Sequence, residues 1–153
     1  MARYSLANYT LAITLPSELA TILGLTGSES LVVGGEGSYL DTFAVELDND
    51  MFSTKGDATG SWVHDKNLSR VGKAEISLNQ LSDRVAKFKK IVNIYYQSGT
   101  DYDGVNLSLV DNQGNEVANC VDCYFIRIPR QEFGQESGNQ TWSLTCGQIT
   151  FSD

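Results

Sequence analysis

Residues 56–82, Gly56-Asp-Ala-Thr-Gly-Ser-Trp-Val-His-Asp-Lys-Asn-Leu-Ser-Arg-Val-Gly-Lys-Ala-Glu-Ile-Ser-Leu-Asn-Gln-Leu-Ser82, order turn, strand and helix signals in a way that decides the fold. Gly56, Asp57, Gly60 and Ser61 have the composition of a turn, Trp62 and Val63 begin a strand, and Asp65 to Asn67 form a polar break. In the next strand Ala74, Ile76 and Leu78 alternate with Lys73, Glu75 and Ser77, the period of a sheet with one buried and one wet face. Ser82 and Asp83 suit a helix cap, and Leu81, Val85, Phe88, Val92 and Tyr95 recur at spacings of four and three, predicting one apolar stripe on a helix over about Ser82 to Gln97.

Further strands are predicted at Tyr9 to Leu15, Ser30 to Val33, Tyr39 to Asp48, Gly60 to His64, Val105 to Val110, Val117 to Ile128 and Thr141 to Phe151, most of them bounded by Gly, Asn, Asp or Ser. Leu19 to Leu25 reads equally as a helical turn or an irregular strand. The fold class is therefore mainly β within α+β: an antiparallel β-sandwich or partly closed β-barrel with one flanking α-helix. A length of 153 residues suits a single domain spanning 1–153, and 41% hydrophobic with 20% charged residues are globular values. No apolar run approaches the roughly 18 residues of a membrane span, so no membrane partner is expected.

Nineteen acids against eleven bases give a formal charge of −8. Phosphate affinity comes from Lys and Arg displacing counterions, so this balance argues against a protein that grips nucleic acid. The signs are uneven. Asp41, Glu46, Asp48, Asp50 and Asp57 face the single Lys55 in one stretch, whereas the helix carries Arg84, Lys87, Lys89 and Lys90. Asn49 to Lys55 reads as an exposed loop that holds Met51 and Phe52 outward, which suggests contact with another chain.

Catalytic and metal chemistry find little support. Cys120 and Cys123 form a CxxC pair on an apparent strand, where residues three apart point to opposite faces; with Cys146 and the sole His64 they make no zinc set, and an odd number of thiols fits a reducing compartment. His64 beside Ser61 and Asp65 does not make a triad by sequence proximity. The acid pairs Asp48 with Asp50 and Asp101 with Asp103 lack the rest of a calcium loop or a glycosidase site, and Gly34-Gly-Glu-Gly37 lacks the Lys of a phosphate loop. No cofactor is expected.

The turn, amphipathic strand and capped helix of 56–97, the early strand Tyr9 to Leu15, the Gly-marked hairpin Leu107 to Val117 and the closing Gln140-Thr-Trp-Ser-Leu-Thr-Cys-Gly-Gln-Ile-Thr-Phe151 together resemble the tail tube protein of contractile-tailed bacteriophages, related in fold to the type VI secretion tube protein. That resemblance implies a structural virion protein, not an enzyme, assembled in the host cytoplasm into hexameric rings that stack as a tube inside a sheath. It implies an inter-subunit hairpin or loop at about 34–60, with Met51, Phe52 and Lys55 as contact candidates. It also implies a bore lined by acids such as Glu46, Asp48, Asp50 and Asp57, and a helix on the outer wall whose Arg84, Lys87 and Lys90 meet the sheath protein. Other implied partners are the baseplate and tail terminator proteins, with the tape measure protein and DNA passing through unbound. The alternative is a carbohydrate-binding β-sandwich using Trp62, Trp142 or a tyrosine to stack on sugars; a small hydrolase with paired carboxylates is a weaker third.

Overall fold

The computed structural model describes residues 9–16, 30–33, 40–97, 103–111 and 113–152. Leu19 to Leu25, the glycines at 34, 35 and 37, and Asp101 lie outside them. Within these bounds the strands are β1 (Tyr9–Thr14), β2 (Ser30–Val33), β3 (Leu40–Leu47), β4 (Phe52–Gly56), β5 (Trp62–Lys66), β6 (Gly72–Asn79), β7 (Val105–Asp111), β8 (Glu116–Phe125) and β9 (Asn139–Phe151), with one helix, α1 (Asp83–Gln97), between β6 and β7. Seven strands make one antiparallel sheet in the order β2-β1-β7-β8-β9-β6-β3, and it curls into a half-barrel. β4 and β5 stand apart as a two-stranded ribbon.

The predicted alternation holds along β6 as far as Ile76, after which Ser77, expected on the wet face, is buried as well. Ala74, Ile76 and Leu78 are fully buried, while Lys73 and Glu75 face water. The same parity buries Leu11 and Ile13 of β1, Val105 and Leu107 of β7, and Trp142 and Leu144 of β9. These side chains form one core with Val85, Phe88, Ile91 and Val92 of α1. A 15-residue helix is marginal alone in water. Burial of these four side chains, each contributing roughly 1.5–3 kcal/mol, holds it in place. The centre is aromatic: Phe88 lies 5.5 Å from Trp142 in an edge-on contact and 5.2 Å from Phe125.

Ser82 is the N-cap. Its Oγ accepts from the Arg84 amide at 3.2 Å and its carbonyl accepts from the Val85 amide, while Asp83 sits in the first turn where the helix dipole favours a carboxylate. Leu81 departs from the predicted stripe. It precedes the cap on a turn built by Asn79, whose Oδ1 accepts the Leu81 amide, and it is 68% exposed; Ile91 completes the buried face instead.

Two turns share one design. In Asp57-Ala-Thr-Gly60-Ser61 and Asp111-Asn-Gln-Gly114-Asn115 the Asp carbonyl accepts the Gly amide, and the Asp amide donates to the carbonyl of the residue after Gly. The glycines have φ of +87° and +85°, a conformation that costs L side chains energy. Each Asp Oδ1 also accepts two backbone amides of its turn, so the same Asp-x-x-Gly spacing closes both hairpins.

An exposed arm as candidate functional site

β3 and β6 pair as far as Leu47 opposite Gly72, and the two chains then leave the sheet side by side. The Asp48 amide donates to the Val71 carbonyl, the Asn67 amide to Met51, and β4 and β5 carry the ladder to the Asp57 turn. Gly72 marks the exit: a Cβ there would overlap the Glu46 carbonyl oxygen and the Ile149 side chain, so the crossing admits only glycine. The projecting element is therefore a β-hairpin whose strands lie at 52–66, overlapping the end of the stretch 34–60 in which an inter-subunit element was expected. Asn49 to Lys55 is half strand, not loop.

Every residue from 46 to 71 is exposed. Ten residues of strand extend roughly 33 Å, so the arm reaches far from its own core. A lone two-stranded hairpin is marginal in water. This one also exposes Met51, Phe52, Trp62, Val63 and Leu68 at between 53% and 77%. Exposed apolar clusters of this kind make the arm the candidate contact surface.

The register sorts these side chains. Phe52, Thr54 and Gly56 lie opposite Lys66, His64 and Trp62 and share one face. There Lys66 sits 5.8 Å above the Phe52 ring, and His64 Nδ1 shares a 2.8 Å hydrogen bond with the Thr54 hydroxyl. The other face carries Met51, Ser53, Lys55, Val63 and Asp65, with Lys55 and Asp65 3.7 Å apart. Both partners of that ion pair are mostly exposed, so it stabilises little. Met51 and Phe52, adjacent in sequence, thus point to opposite sides. Trp62 and Val63 were not among the expected contact residues; the signal was a pair of large apolar residues directly after a turn, in a strand without buried parity.

The expected acidic residues are spread along the path of β3 and the arm. Glu46 is on the outward side of β3, Asp48 and Asp50 are at the base of the arm, and Asp57 is at its tip. The Asp57 carboxylate is occupied within its turn. It accepts the Thr59 hydroxyl at 2.7 Å and the Thr59 and Ser61 amides, and these bonds, the hydroxyl foremost, hold its pKa below the usual carboxylate value. The antiparallel return also places Lys66 opposite Phe52 and brings Arg70 to the base of the arm, where its Nη1 donates to the Ile149 carbonyl at 3.2 Å.

On α1, Lys90 is exposed and Lys87 partly so, whereas Arg84 is turned inward. Its Nε donates to the Val32 carbonyl at 2.7 Å and its Nη1 contacts Asp83, clamping the start of the helix to β2. His64 and Asp65, being neighbours on a strand, face opposite ways, which dissolves the Ser-His-Asp arrangement. Trp142 is completely buried and cannot stack on a sugar, leaving Trp62 as the exposed indole. Among the described residues no group of His, Cys, Asp and Glu could hold a metal ion. A polar groove of about 550 Å³ lies between residues 127–138 and the start of β9, and its mixed Arg127, Arg130, Glu132 and Glu136 lining forms no recognisable catalytic set.

The fold has relatives among contractile machines. One is a chain of the sheath/tube terminator of the PVC extracellular contractile injection system, with a TM-score of 0.55 at 11% identity over 100% of this chain and 99% of that one. A second belongs to the PVC sheath–tube complex, with a TM-score of 0.55 at 9% identity over 98% and 91% of the two chains. A third comes from the six-fold symmetrised baseplate of the anti-feeding prophage, with a TM-score of 0.52 at 9% identity over 98% and 95%. No curated protein sequence matches the chain. At such identities these structures establish the fold. The family model for the bacteriophage PhiTE tail tube protein matches residues 1–152, and the chain accordingly belongs to that family, as a structural tube protein of the phage tail and not an enzyme.

Proposed function

We propose that this protein forms hexameric rings that stack into the inner tube of a contractile tail, and that the arm at residues 48–71 makes the contact between neighbouring copies. The observation that carries this reading is the arm itself, an ordered hairpin with every residue exposed and large apolar side chains on both faces. The sheath–tube, terminator and baseplate assemblies named for its structural relatives support sheath, terminator and baseplate proteins as partners. Electron microscopy of the concentrated protein, or of the particles that contain it, tests the reading: hollow six-fold tubes are expected, and a protein monomeric at every concentration would defeat it.

The tube serves as a conduit through which the tape measure protein and then DNA pass unbound. Supporting this, the chain carries a net charge of −8, and among the described residues the outward face of the sheet presents mainly hydroxyls and amides, such as Thr10, Thr14, Asn106, Thr141 and Thr145, while its Lys73 stands opposite Glu46 and near Glu75. Such a wall offers phosphates little to exchange for counterions.

Lys87 and Lys90 on the solvent side of α1 are the cations proposed to meet acidic groups of the sheath. Reversing both to Glu is expected to leave tubes intact and to weaken sheath binding in co-sedimentation. Unchanged binding would take the helix out of that role. Arg84 is left out of this test because its intramolecular clamp makes its reversal a fold mutation.

A further inference from the structure

A three-cysteine cluster lies in the core, away from the arm. A strand with unbroken alternation would place Cys120 and Cys123 on opposite faces. Both are buried, because β8 bulges between them: Leu107 pairs with Cys120 but Val105 pairs with Cys123, so Asn106 faces two residues, Val121 and Asp122. Asp122 takes φ of +58°, and its amide donates to the Asn106 side chain at 3.1 Å. The parity of β9 changes at the same level, burying Cys146 and Ile149, also three apart. The three buried thiols consequently lie on the same inner face of the sheet, within one core.

Cys123 stands directly opposite Cys146. Farther along this ladder the Ile126 amide donates to the Ser143 carbonyl, which makes 126 with 143 a hydrogen-bonded pair, and hence 125 with 144 and 123 with 146 non-hydrogen-bonded pairs and 124 with 145 another hydrogen-bonded one. In non-hydrogen-bonded pairs the Cα atoms are about 4.5 Å apart, inside the roughly 4.4–6.8 Å that a disulfide spans. Cys120 stands opposite Ile149, so it has no cysteine directly across the ladder.

We propose that Cys123 and Cys146 are a latent cross-strand disulfide site, and that Cys120 is the thiol left over. The co-reactant is a small disulfide such as oxidised glutathione. One protein thiolate attacks a glutathione sulfur and expels the first glutathione thiolate. The second protein thiolate then attacks the mixed disulfide and expels the other, so two protein thiols are oxidised, one disulfide is reduced to two thiols, and both protons end on glutathione. Solvent does not reach these thiols in the closed sheet, so the bond forms while the chain folds or when β8 and β9 open. The cross-link would close residues 123–146 into a loop and fasten the middle of the sheet.

The full chain is refolded from urea with oxidised and reduced glutathione, trapped with iodoacetamide and mapped by mass spectrometry. The expected product has Cys123 joined to Cys146 with the loss of two hydrogens, Cys120 alkylated, and a Tm above that of the reduced protein. Cys120→Ser should give the same cross-link and Cys146→Ser should not. A disulfide that includes Cys120 in the wild-type chain, or three alkylated cysteines after refolding in oxidant, would overturn the proposal. If Cys146→Ser fails to fold, the wild-type and Cys120→Ser maps still decide.

Discussion

Replacing Phe52 and Trp62 together by Ser is expected to abolish tube formation while the monomer's melting transition stays where it was. Both side chains lie on one face of the hairpin, 53% and 68% exposed, and touch nothing in the core, so the fold loses nothing when they go. Across an interface each large apolar side chain contributes roughly 1.5–3 kcal/mol on burial. Repeated at every subunit of every ring, that loss exceeds what a marginal polymer tolerates. Sedimentation and electron microscopy read the assembly, and calorimetry reads the fold. A double mutant that still polymerises would acquit this face. The parallel change of Met51 and Val63 to Ser, on the opposite face, then shows whether that side carries the contact.

Acid provides a second handle on the same element. The Asp57 carboxylate has its pKa depressed in the folded turn, so its stabilisation is fully present above the ordinary value of 3.8 and is lost as pH falls through the lower folded value. As pH falls through that lower value the turn should loosen, with hydrogen exchange at Gly60 and Ser61 rising. Asp57→Ala should show the same loosening already at neutral pH.

The largest effect on the fold is expected from Trp142→Ala, a destabilisation of about 3–5 kcal/mol. The indole is fully buried between Phe88 at 5.5 Å and Phe125 at 6.0 Å, on the strand next to β6, and it joins helix to sheet at their centre. Against a total of roughly 5–15 kcal/mol for a typical domain, that loss removes a large share of the stability. Trp142→Phe should cost much less, since it keeps an aromatic edge against Phe88 and removes an indole N–H that has no hydrogen-bond partner in the structure. Equal losses for both variants, measured by urea unfolding, would mean that the site depends on the size of the indole and not on an aromatic contact.

Elements whose burial is decided by neighbours in sequence were legible without coordinates. β6 announced itself by strict alternation, α1 by its stripe and the Ser82 cap, and the two Asp-x-x-Gly turns by residues that allow positive φ, because each signal is local and is written in consecutive side chains. The net charge, too, is a property of the sequence alone. What the chain order could not reveal were the pairings made at a distance. The separation of Met51 from Phe52, the seating of Arg70 on the Ile149 carbonyl, and the turning inward of Arg84 onto Val32 all depend on which strand lies opposite which. The bulge at Asp122 is the sharpest case: it shifts parity by one residue, which no local composition marked, and so brings together three thiols that simple alternation would keep apart. Tertiary structure decided these points because register and parity are set by the fit of a whole sheet against one helix, and a single residue of slip changes which face every later side chain takes.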